Sequence, residues 1–354
     1  MNISLFPSIH AIKRLGMASA IGLAMASALA VAGQAQPNSA DQPPLQFVPK
    51  GRFDTSDDAL VKRLPGFRNA YATANGVRLH YVTGGKGPVL ILLPGHPETW
   101  WAYHKMMPLL ARDFTVIAVD IRGMGGSQVT PGGYDKKTMQ EDVYQLVRQL
   151  GHAEVNIVGQ DIGAMVAFAF AANHPEATKK VVLLDVPYPD DSWLSFPILP
   201  AEGSFGTKVD ASHPPYPWWF AFHNVGPLAE RLLAGNGMRD YIAYLYSYLS
   251  YDNANIAPLD LAVFGDRYSS TERIRAGHAW YRAWPQDIRE RRAYAPVTMP
   301  VLGLGATYTG MNWLPIMSKQ ATDFRLVEVK NSGHFISMEQ PVFAADQVRS
   351  FLRE

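Results

Sequence analysis

The stretch that decides the fold is Ile-Val-Gly-Gln-Asp-Ile-Gly-Ala-Met at positions 157–165. Apolar residues lead into a G-x-D-x-G turn, and small and apolar residues follow it. This order predicts a buried strand, a sharp turn and a helix, with the side chain of Asp161 exposed above the end of a sheet. Serine is the familiar nucleophile at such a turn, so Asp161 is our candidate nucleophile. The simpler alternative is that Asp161 caps the helix that begins at Ile162.

Strand and helix patterns alternate on either side of this turn. Strand patterns that are largely apolar, as is typical of strands buried on both faces, lie at 89–93, 114–119, 155–158 and 181–184. Helical patterns lie at 99–112, 137–150 and 162–173, and the alternation ends with strands at 300–304 and 324–329 and a helix at 341–352. We therefore predict an α/β fold whose mostly parallel sheet is covered by helices on both faces.

The alternation is interrupted between residues 187 and 292, where the sequence is rich in aromatic residues and helical in pattern. We predict that 187–292 forms a helical cap inserted between two parts of the sheet domain, residues 66–186 and residues 293–354. The preceding segment, 36–65, is polar and contains several prolines, which predicts a linker.

Residues 1–35 have the features of a secretory signal peptide. Lys13 and Arg14 precede an uncharged stretch at 15–33, and small residues suit cleavage near Ala32 or Ala35. The stretch is also long enough to span a bilayer, so an uncleaved anchor is the alternative. We expect an exported protein, periplasmic or secreted.

Composition excludes several classes of function. The 32 Lys and Arg balance 31 Asp and Glu, a net charge of +1, which disfavours nucleic-acid binding. The chain has no cysteine, which excludes disulfides, thiol nucleophiles and thiolate metal ligands. The histidines lack metal-ligand spacing and the glycine-rich turns lack a phosphate-loop pattern, so we expect no metal and no organic cofactor. The expected partners are a small-molecule substrate and water.

Two further polar residues follow strand patterns. His334 comes directly after the last strand pattern and is the candidate general base. An orienting acid usually follows the strand before it, but residues 305–310 contain no Asp or Glu. Asp185, at the end of the strand at 181–184, is therefore our candidate for the orienting acid. The alternatives are a solvent-facing loop histidine and a carboxylate that caps a strand end.

Together these motifs resemble the α/β-hydrolases that use aspartate as nucleophile, namely epoxide hydrolases, haloacetate dehalogenases and haloalkane dehalogenases. The resemblance extends from residue 67 to the C-terminus. It rests on Asp161, Asp185, Gly-His-Pro-Glu-Thr-Trp at 95–100, Asp-Ile-Arg-Gly at 120–123 and Gly-His at 333–334. The Gln-Asp-Ile-Gly turn looks most like the epoxide hydrolase branch that includes the secreted Cif proteins. The resemblance implies an α/β-hydrolase fold with a mostly parallel central sheet and an inserted helical cap.

An aspartate nucleophile favours a substrate with an electrophilic sp3 carbon, because attack on an ester carbonyl would form an unstable anhydride. We expect a covalent alkyl ester on Asp161. Water deprotonated by His334, with Asp185 behind it, then attacks the ester carbonyl. The backbone N–H groups of His96 and Ile162 are the expected oxyanion donors.

The sequence departs from these relatives in two places. Pro94 stands where the family usually has a histidine. Relatives supply two ring-opening donors from the cap; Tyr281 matches one, whereas Trp219 replaces the histidine expected for the other. An indole N–H can hold an oxygen or a halide but cannot deliver a proton, so His223, one helical turn further on, is a candidate substitute. We expect Trp219, His223 and Trp100 to contact the substrate.

Three functions follow from these residues. Epoxide hydrolysis to a vicinal diol is favoured, because Tyr281 can act as the acid and Ile162 fits that branch. Hydrolytic dehalogenation of a haloacid or haloalkane is the alternative, with Trp219 as a halide ligand. A non-catalytic ligand-binding homologue is the second alternative, since a fold does not determine function. The complete set of nucleophile, base and acid argues against it.

Overall fold

Eight strands form one sheet in the computed structural model, which describes residues 45–197, 199–200, 215–307 and 313–354. The strands are β1 (Phe67–Ala74), β2 (Val77–Gly85), β3 (Val89–Leu93), β4 (Thr115–Asp120), β5 (Val155–Gln160), β6 (Thr178–Leu184), β7 (Val301–Ala306) and β8 (Phe324–Val329). Their order across the sheet is β1-β2-β4-β3-β5-β6-β7-β8. The β1–β2 and β2–β4 pairs are antiparallel and the other pairs are parallel. The predicted α/β class with a mostly parallel sheet is confirmed.

The centre of the sheet is buried on both faces. Every residue of β3 and of β5 is buried, as their apolar patterns predicted. The two strands pair in parallel, with Ile91 opposite Ile157 and Leu93 opposite Gly159. Their carboxyl ends therefore lie at the same edge of the sheet, which is where ligand sites of open α/β sheets are found.

The helices lie between the strands in the chain and within the inserted segment. They are α1 (Asp57–Val61), α2 (Met107–Leu110), α3 (Lys136–Gln149), α4 (Ile162–Asn173), α5 (Trp218–Phe222), α6 (Pro227–Leu233), α7 (Gly237–Leu249), α8 (Pro258–Arg267), α9 (Thr271–Arg282), α10 (Trp284–Arg291), α11 (Leu314–Met317), α12 (Ile336–Glu339) and α13 (Pro341–Arg353). The single helix predicted at 99–112 is instead a 3₁₀ turn, Trp100–Tyr103, followed by the short α2.

Helices α5 to α10 lie between β6 and β7 in the chain, within the segment predicted as the cap. A buried ion pair fixes this segment against the sheet domain. Nζ of Lys136, at the start of α3, lies 2.8 Å from Oδ2 of Asp287 in α10 and 2.6 Å from the carbonyl oxygen of Trp280 in α9. Both charged side chains are fully buried. Because Lys136 also binds the carbonyl oxygen of Trp280, these contacts help to position α9, the helix that contains Tyr281.

Residues 45–65, the described part of the predicted linker, are packed against the rest of the protein. Val48 and Leu60 are buried in the core. The carbonyl oxygen of Val48 accepts a hydrogen bond of 2.9 Å from Arg239, and the hydroxyl of Thr55 donates one of 2.6 Å to Asp266. The predicted signal peptide at 1–35 and the linker residues 36–44 lie outside the described residues. Among the helices that the structure describes, none is long and apolar enough to cross a membrane.

Candidate active site

Asp161 lies on a strained turn between β5 and α4. Its backbone has φ 50° and ψ −122°, a conformation that L-residues rarely adopt. The flanking glycines are required by close packing. A Cβ on Gly159 would lie 2.2 Å from the carbonyl oxygen of Gly163, and one on Gly163 would lie 2.0 Å from that of Leu93. The side chain of Asp161 makes no capping hydrogen bond to α4. The capping alternative is therefore wrong, and the carboxylate is left available for chemistry.

Two backbone N–H groups hold the carboxylate of Asp161. The N–H of His96 donates to Oδ1 at 2.8 Å, and the N–H of Ile162 favours the charged form of the carboxylate, whose pKa it lowers. Gly95 lets the loop after β3 approach this closely, because a Cβ there would lie 2.4 Å from Cβ of Asp161. The two N–H groups predicted as oxyanion donors thus lie at the carboxylate of Asp161.

His334 and Asp185 meet beside the nucleophile. Nδ1 of His334 lies 2.6 Å from Oδ2 of Asp185, and its Nε2 lies 3.7 Å from Oδ2 of Asp161. Asp185 is oriented by the backbone N–H of Ala306, which donates to Oδ1 at 3.0 Å. The structure therefore brings together the three residues predicted as nucleophile, orienting acid and base, Asp161, Asp185 and His334.

Burial and neighbouring charges shift the pKa values of His334 and Asp161. Burial lowers the pKa of His334, but the hydrogen bond and charge of Asp185 and the charges of Asp161 and Glu98 outweigh burial and raise it to about 9. Burial also raises the pKa of Asp161, opposed by the charge of His334 and by the N–H groups of His96 and Ile162. In the free protein at neutral pH, His334 is therefore protonated and paired with two carboxylates.

Glu98 is a buried residue of the site for which no role was predicted. Its Oε2 accepts from the backbone N–H of Gly95 at 3.1 Å, and its Oε1 accepts from the side-chain amide of Gln160 at 3.2 Å. Gln160 in turn accepts from the N–H of Ser337 at 3.3 Å. Burial raises the pKa of Glu98 to about 7. The network links the loops that carry the oxyanion donors, the nucleophile and the base. Its only sequence signal was Glu98 within the motif at 95–100.

Helix α9 places Tyr281 next to the loop after β3. Tyr281 is 2% exposed, and its hydroxyl oxygen lies 3.5 Å from Nδ1 of His96. Trp219 acts on the same hydroxyl, whose pKa it lowers. Burial and then the charge of Asp161 raise the pKa of Tyr281 well above its ordinary value. The phenol is therefore protonated at neutral pH.

His223 also lies next to Tyr281, and the face of its ring packs on the tyrosine ring. The two rings are stacked with centroids 4.0 Å apart and planes 20° from parallel. Nε2 of His223 lies 3.0 Å from the hydroxyl of Tyr241 in α7. Burial lowers the pKa of His223 well below its ordinary value, so it is neutral. Tyr241 and the imidazole of His96 were not predicted as site residues, because no local pattern links α7 to the loop after β3.

Trp100 does not lie in the site. Its side chain is fully buried, and its indole N–H donates to Oδ1 of Asp57 in α1 at 2.9 Å. Its backbone N–H donates to Asp120 at the end of β4. The prediction that Trp100 contacts the substrate is therefore wrong, since hydrogen bonds direct the indole into the core. Within the described part of the chain, no group of three or more His, Cys, Asp or Glu side chains could hold a metal ion.

Comparison with known proteins identifies the family and the relatives of this chain. The family described as alpha/beta hydrolase fold matches residues 88–341. The soluble epoxide hydrolase of Corynebacterium sp. (strain C12) is 33% identical over 285 residues, 79% of this chain and 95% of that protein. The fluoroacetate dehalogenase of Burkholderia sp. is 26% identical over 224 residues, 62% of this chain and 69% of that protein.

Solved structures show the same likeness. The crystal structure of wild-type Cfl2 from Burkholderia cenocepacia has a TM-score of 0.74 to this chain and is 33% identical, covering 82% of this chain and 97% of that one. The resemblance to epoxide hydrolases and dehalogenases that the sequence motifs indicated is confirmed.

Proposed function

This chain belongs to the α/β-hydrolase fold family, and we propose that it hydrolyses an epoxide to a vicinal diol through an alkyl ester on Asp161. It is an epoxide hydrolase-like enzyme. The observation that favours an epoxide as the substrate is the phenol of Tyr281, which is buried and lies near enough to Asp161 for that charge to raise its pKa. Opening an epoxide needs a proton for the departing oxygen, and a protonated phenol can supply it.

The first step forms the ester. Oδ2 of Asp161 attacks a ring carbon, because Oδ1 is held by the N–H of His96. The carbon–oxygen bond of the ring breaks, and the departing oxygen takes the phenolic proton of Tyr281. The products of this step are an alkyl ester on Asp161, a hydroxyl on the neighbouring carbon and a phenolate on Tyr281.

The second step hydrolyses the ester. Esterification removes the negative charge of Asp161, which is one of the charges that raise the pKa of His334, so His334 loses its proton more easily and can act as a base. Nε2 of His334 then takes a proton from water, whose oxygen attacks the ester carbonyl. The N–H groups of His96 and Ile162 hold the resulting oxyanion, a contribution of about 3 kcal/mol per donor. Collapse of the oxyanion breaks the bond between the carbonyl carbon and the alkyl oxygen, and that oxygen takes the remaining proton of the attacking water to complete the diol. The proton that His334 loses before it acts as a base neutralises the Tyr281 phenolate, and the proton taken from water leaves His334 protonated again.

Hydrolytic dehalogenation is the second candidate. A departing halide needs no proton, and the indole N–H of Trp219 and the hydroxyl of Tyr281 are adjacent donors that could hold it. The fluoroacetate dehalogenase similarity supports this reading, but at lower identity and over less of the chain than the epoxide hydrolase similarity. A non-catalytic binder would not require the strained turn of Asp161 or the alignment of His334 with Asp185.

The test is the intact mass of His334→Ala protein after exposure to a panel of epoxides and haloacids. Without the base, step one should proceed and step two should stall, which traps the ester on Asp161. A mass increase equal to a whole epoxide supports the proposal. An increase equal to a haloacid less HX would replace it with dehalogenation.

The matched control is the His334→Ala, Asp161→Asn double variant, which lacks the nucleophile. It should form no adduct with either class of compound, and peptide mapping of the single variant should place the adduct on Asp161. If folded His334→Ala protein forms no adduct with any epoxide of the panel, the proposed function is contradicted.

A further inference from the structure

The loop that carries His334 is held by a buried carboxylate that the two chemical steps do not use. Oε1 of Glu339, in α12, accepts hydrogen bonds of 3.1 Å from the backbone N–H groups of Gly333 and Phe335. These two residues stand on either side of His334 in the chain. Glu339 is 4% exposed, so water competes little for its oxygens. The carboxylate therefore fixes the backbone before and after the general base.

The other oxygen of this carboxylate reaches the inserted helical segment. Oε2 of Glu339 accepts a hydrogen bond of 2.7 Å from the backbone N–H of Tyr251, two residues after the end of α7. Burial raises the pKa of Glu339 to about 7, although the N–H groups that it binds lower it. Above this pKa the carboxylate is charged, and a charged acceptor makes the stronger hydrogen bonds. One side chain thus joins the loop of the base to the segment that follows α7.

The end of α7 also contacts the loop of the base directly. The backbone N–H of His334 donates to the carbonyl oxygen of Leu249, the last residue of α7, at 2.9 Å. Glycine is required at position 333 for this approach, because a Cβ on Gly333 would lie 1.9 Å from the same carbonyl oxygen. The rings of Tyr246, in α7, and Phe335 are stacked with centroids 3.9 Å apart. The position of His334 therefore depends on α7 as well as on the sheet.

Ester hydrolysis needs the imidazole of His334 in a narrow range of positions. Its Nδ1 lies 2.6 Å from Oδ2 of Asp185, and its Nε2 lies 3.7 Å from Oδ2 of Asp161. While it keeps the first contact, Nε2 must come within about 3 Å of the attacking water. A displacement of about 1 Å can slow such a step by about 10²-fold. Ester formation uses Asp161 and Tyr281 and does not need His334 in this position.

We propose that Glu339 is a positioning residue for the general base, whose carboxylate holds His334 in place for ester hydrolysis and joins it to α7. The inference rests on the proposed function, of which it explains the second step. Glu339 exchanges no proton and acts only through the loop at 333–335. Ester hydrolysis, and not ester formation, should therefore be the step that depends on the contact between this loop and α7.

The first test needs no substrate. Glu339→Asp keeps the charge but draws the carboxylate back by one methylene group, so it cannot reach all three N–H groups. The bond of His334 to Asp185 should weaken, and an NMR titration should show the pKa of His334, about 9, lowered by about 1. The matched control is Glu328→Asp, the same change at an exposed carboxylate of β8 that accepts from the hydroxyl of Thr307. It should leave the pKa of His334 unchanged.

The second test separates the two chemical steps. An epoxide that forms an adduct on His334→Ala protein is mixed with proteins that keep His334, and the ester is followed by rapid quench and intact mass in a single turnover. At a pH above the pKa of Glu339, Glu339→Gln should slow decay of the ester by about 10- to 100-fold and leave its formation unchanged. Glu328→Gln should change neither rate. If Glu339→Gln does not fold, Glu339→Asp takes its place.

The outcomes distinguish the inference from the proposed function. If the pKa of His334 is the same in Glu339→Asp as in the wild type, Glu339 does not position the base and the inference is overturned alone. An equal slowing of both steps in Glu339→Gln would also overturn it, because a general loss of structure affects both. If no epoxide forms an adduct on His334→Ala protein, the proposed function fails, whereas the titration still decides whether Glu339 positions His334.

Discussion

Replacing Asp161 by asparagine should lower the pKa of His334, because it removes a negative charge that the structure places 3.7 Å from Nε2. Two unit charges at this distance interact by about 1 to 4 kcal/mol for effective dielectric constants of about 80 to 20. At 1.36 kcal/mol per pKa unit, this corresponds to a decrease of about 1 to 3. The pKa of His334, about 9 in the free protein, should therefore fall to about 6 to 8 in Asp161→Asn. Asparagine here imitates the uncharged ester.

The measurement is an NMR titration of the imidazole signals in the wild type and in Asp161→Asn, with His334→Gln to assign the signal among the 10 histidines. Asp161→Glu, which keeps the charge, is the matched control and should leave the pKa of His334 high. An unchanged or higher pKa in Asp161→Asn would refute the reasoning that ester formation converts His334 into a base. The second step would then need another source of the hydroxide.

The remaining predictions concern the orienting acid, pH and the cap. Asp185→Asn should lower the pKa of His334 by the same titration and slow ester hydrolysis by about 10³- to 10⁴-fold in single-turnover kinetics, because the imidazole loses its partner. Since the pKa of His334 is raised to about 9, its contribution to stability is complete below about pH 6.5 and is lost as pH rises through 9. Urea unfolding should show this loss, about 3 kcal/mol, in the wild type and not in His334→Gln. Lys136→Met should cost about 3 to 5 kcal/mol of unfolding free energy by leaving Asp287 buried and unpaired, and adding Asp287→Leu should restore much of it.

The sheet and the nucleophile could be predicted because their signals are local. A strand buried on both faces must be apolar throughout, and the turn after it must have glycine where a Cβ would collide with backbone. Gly163 meets this condition, with the carbonyl oxygen of Leu93 only 2.0 Å from where its Cβ would lie. The predicted bounds of the helix at 162–173 coincide with those of α4, and those of the strand at 324–329 also coincide with β8.

The contacts between site residues from distant parts of the chain could not be predicted, because no local pattern links the segments that meet. Tyr281 meets His96 across 185 positions, and Gln160 meets Ser337 across 177. Trp100 was expected to contact the substrate, but its indole N–H donates to Asp57 from the 3₁₀ turn that begins at Trp100. Proximity in the sequence therefore did not predict which side chains lie together in the site.

Trp219 illustrates why a replaced residue must be judged by its contacts and not by what it lacks. From the sequence, tryptophan in place of histidine counts as the loss of an acid, since an indole cannot release a proton at neutral pH. In the structure, burial and the charge of Asp161 raise the pKa of the Tyr281 hydroxyl, and Trp219 lowers it. The tryptophan therefore makes Tyr281 a stronger acid than it would otherwise be, although the indole itself delivers no proton.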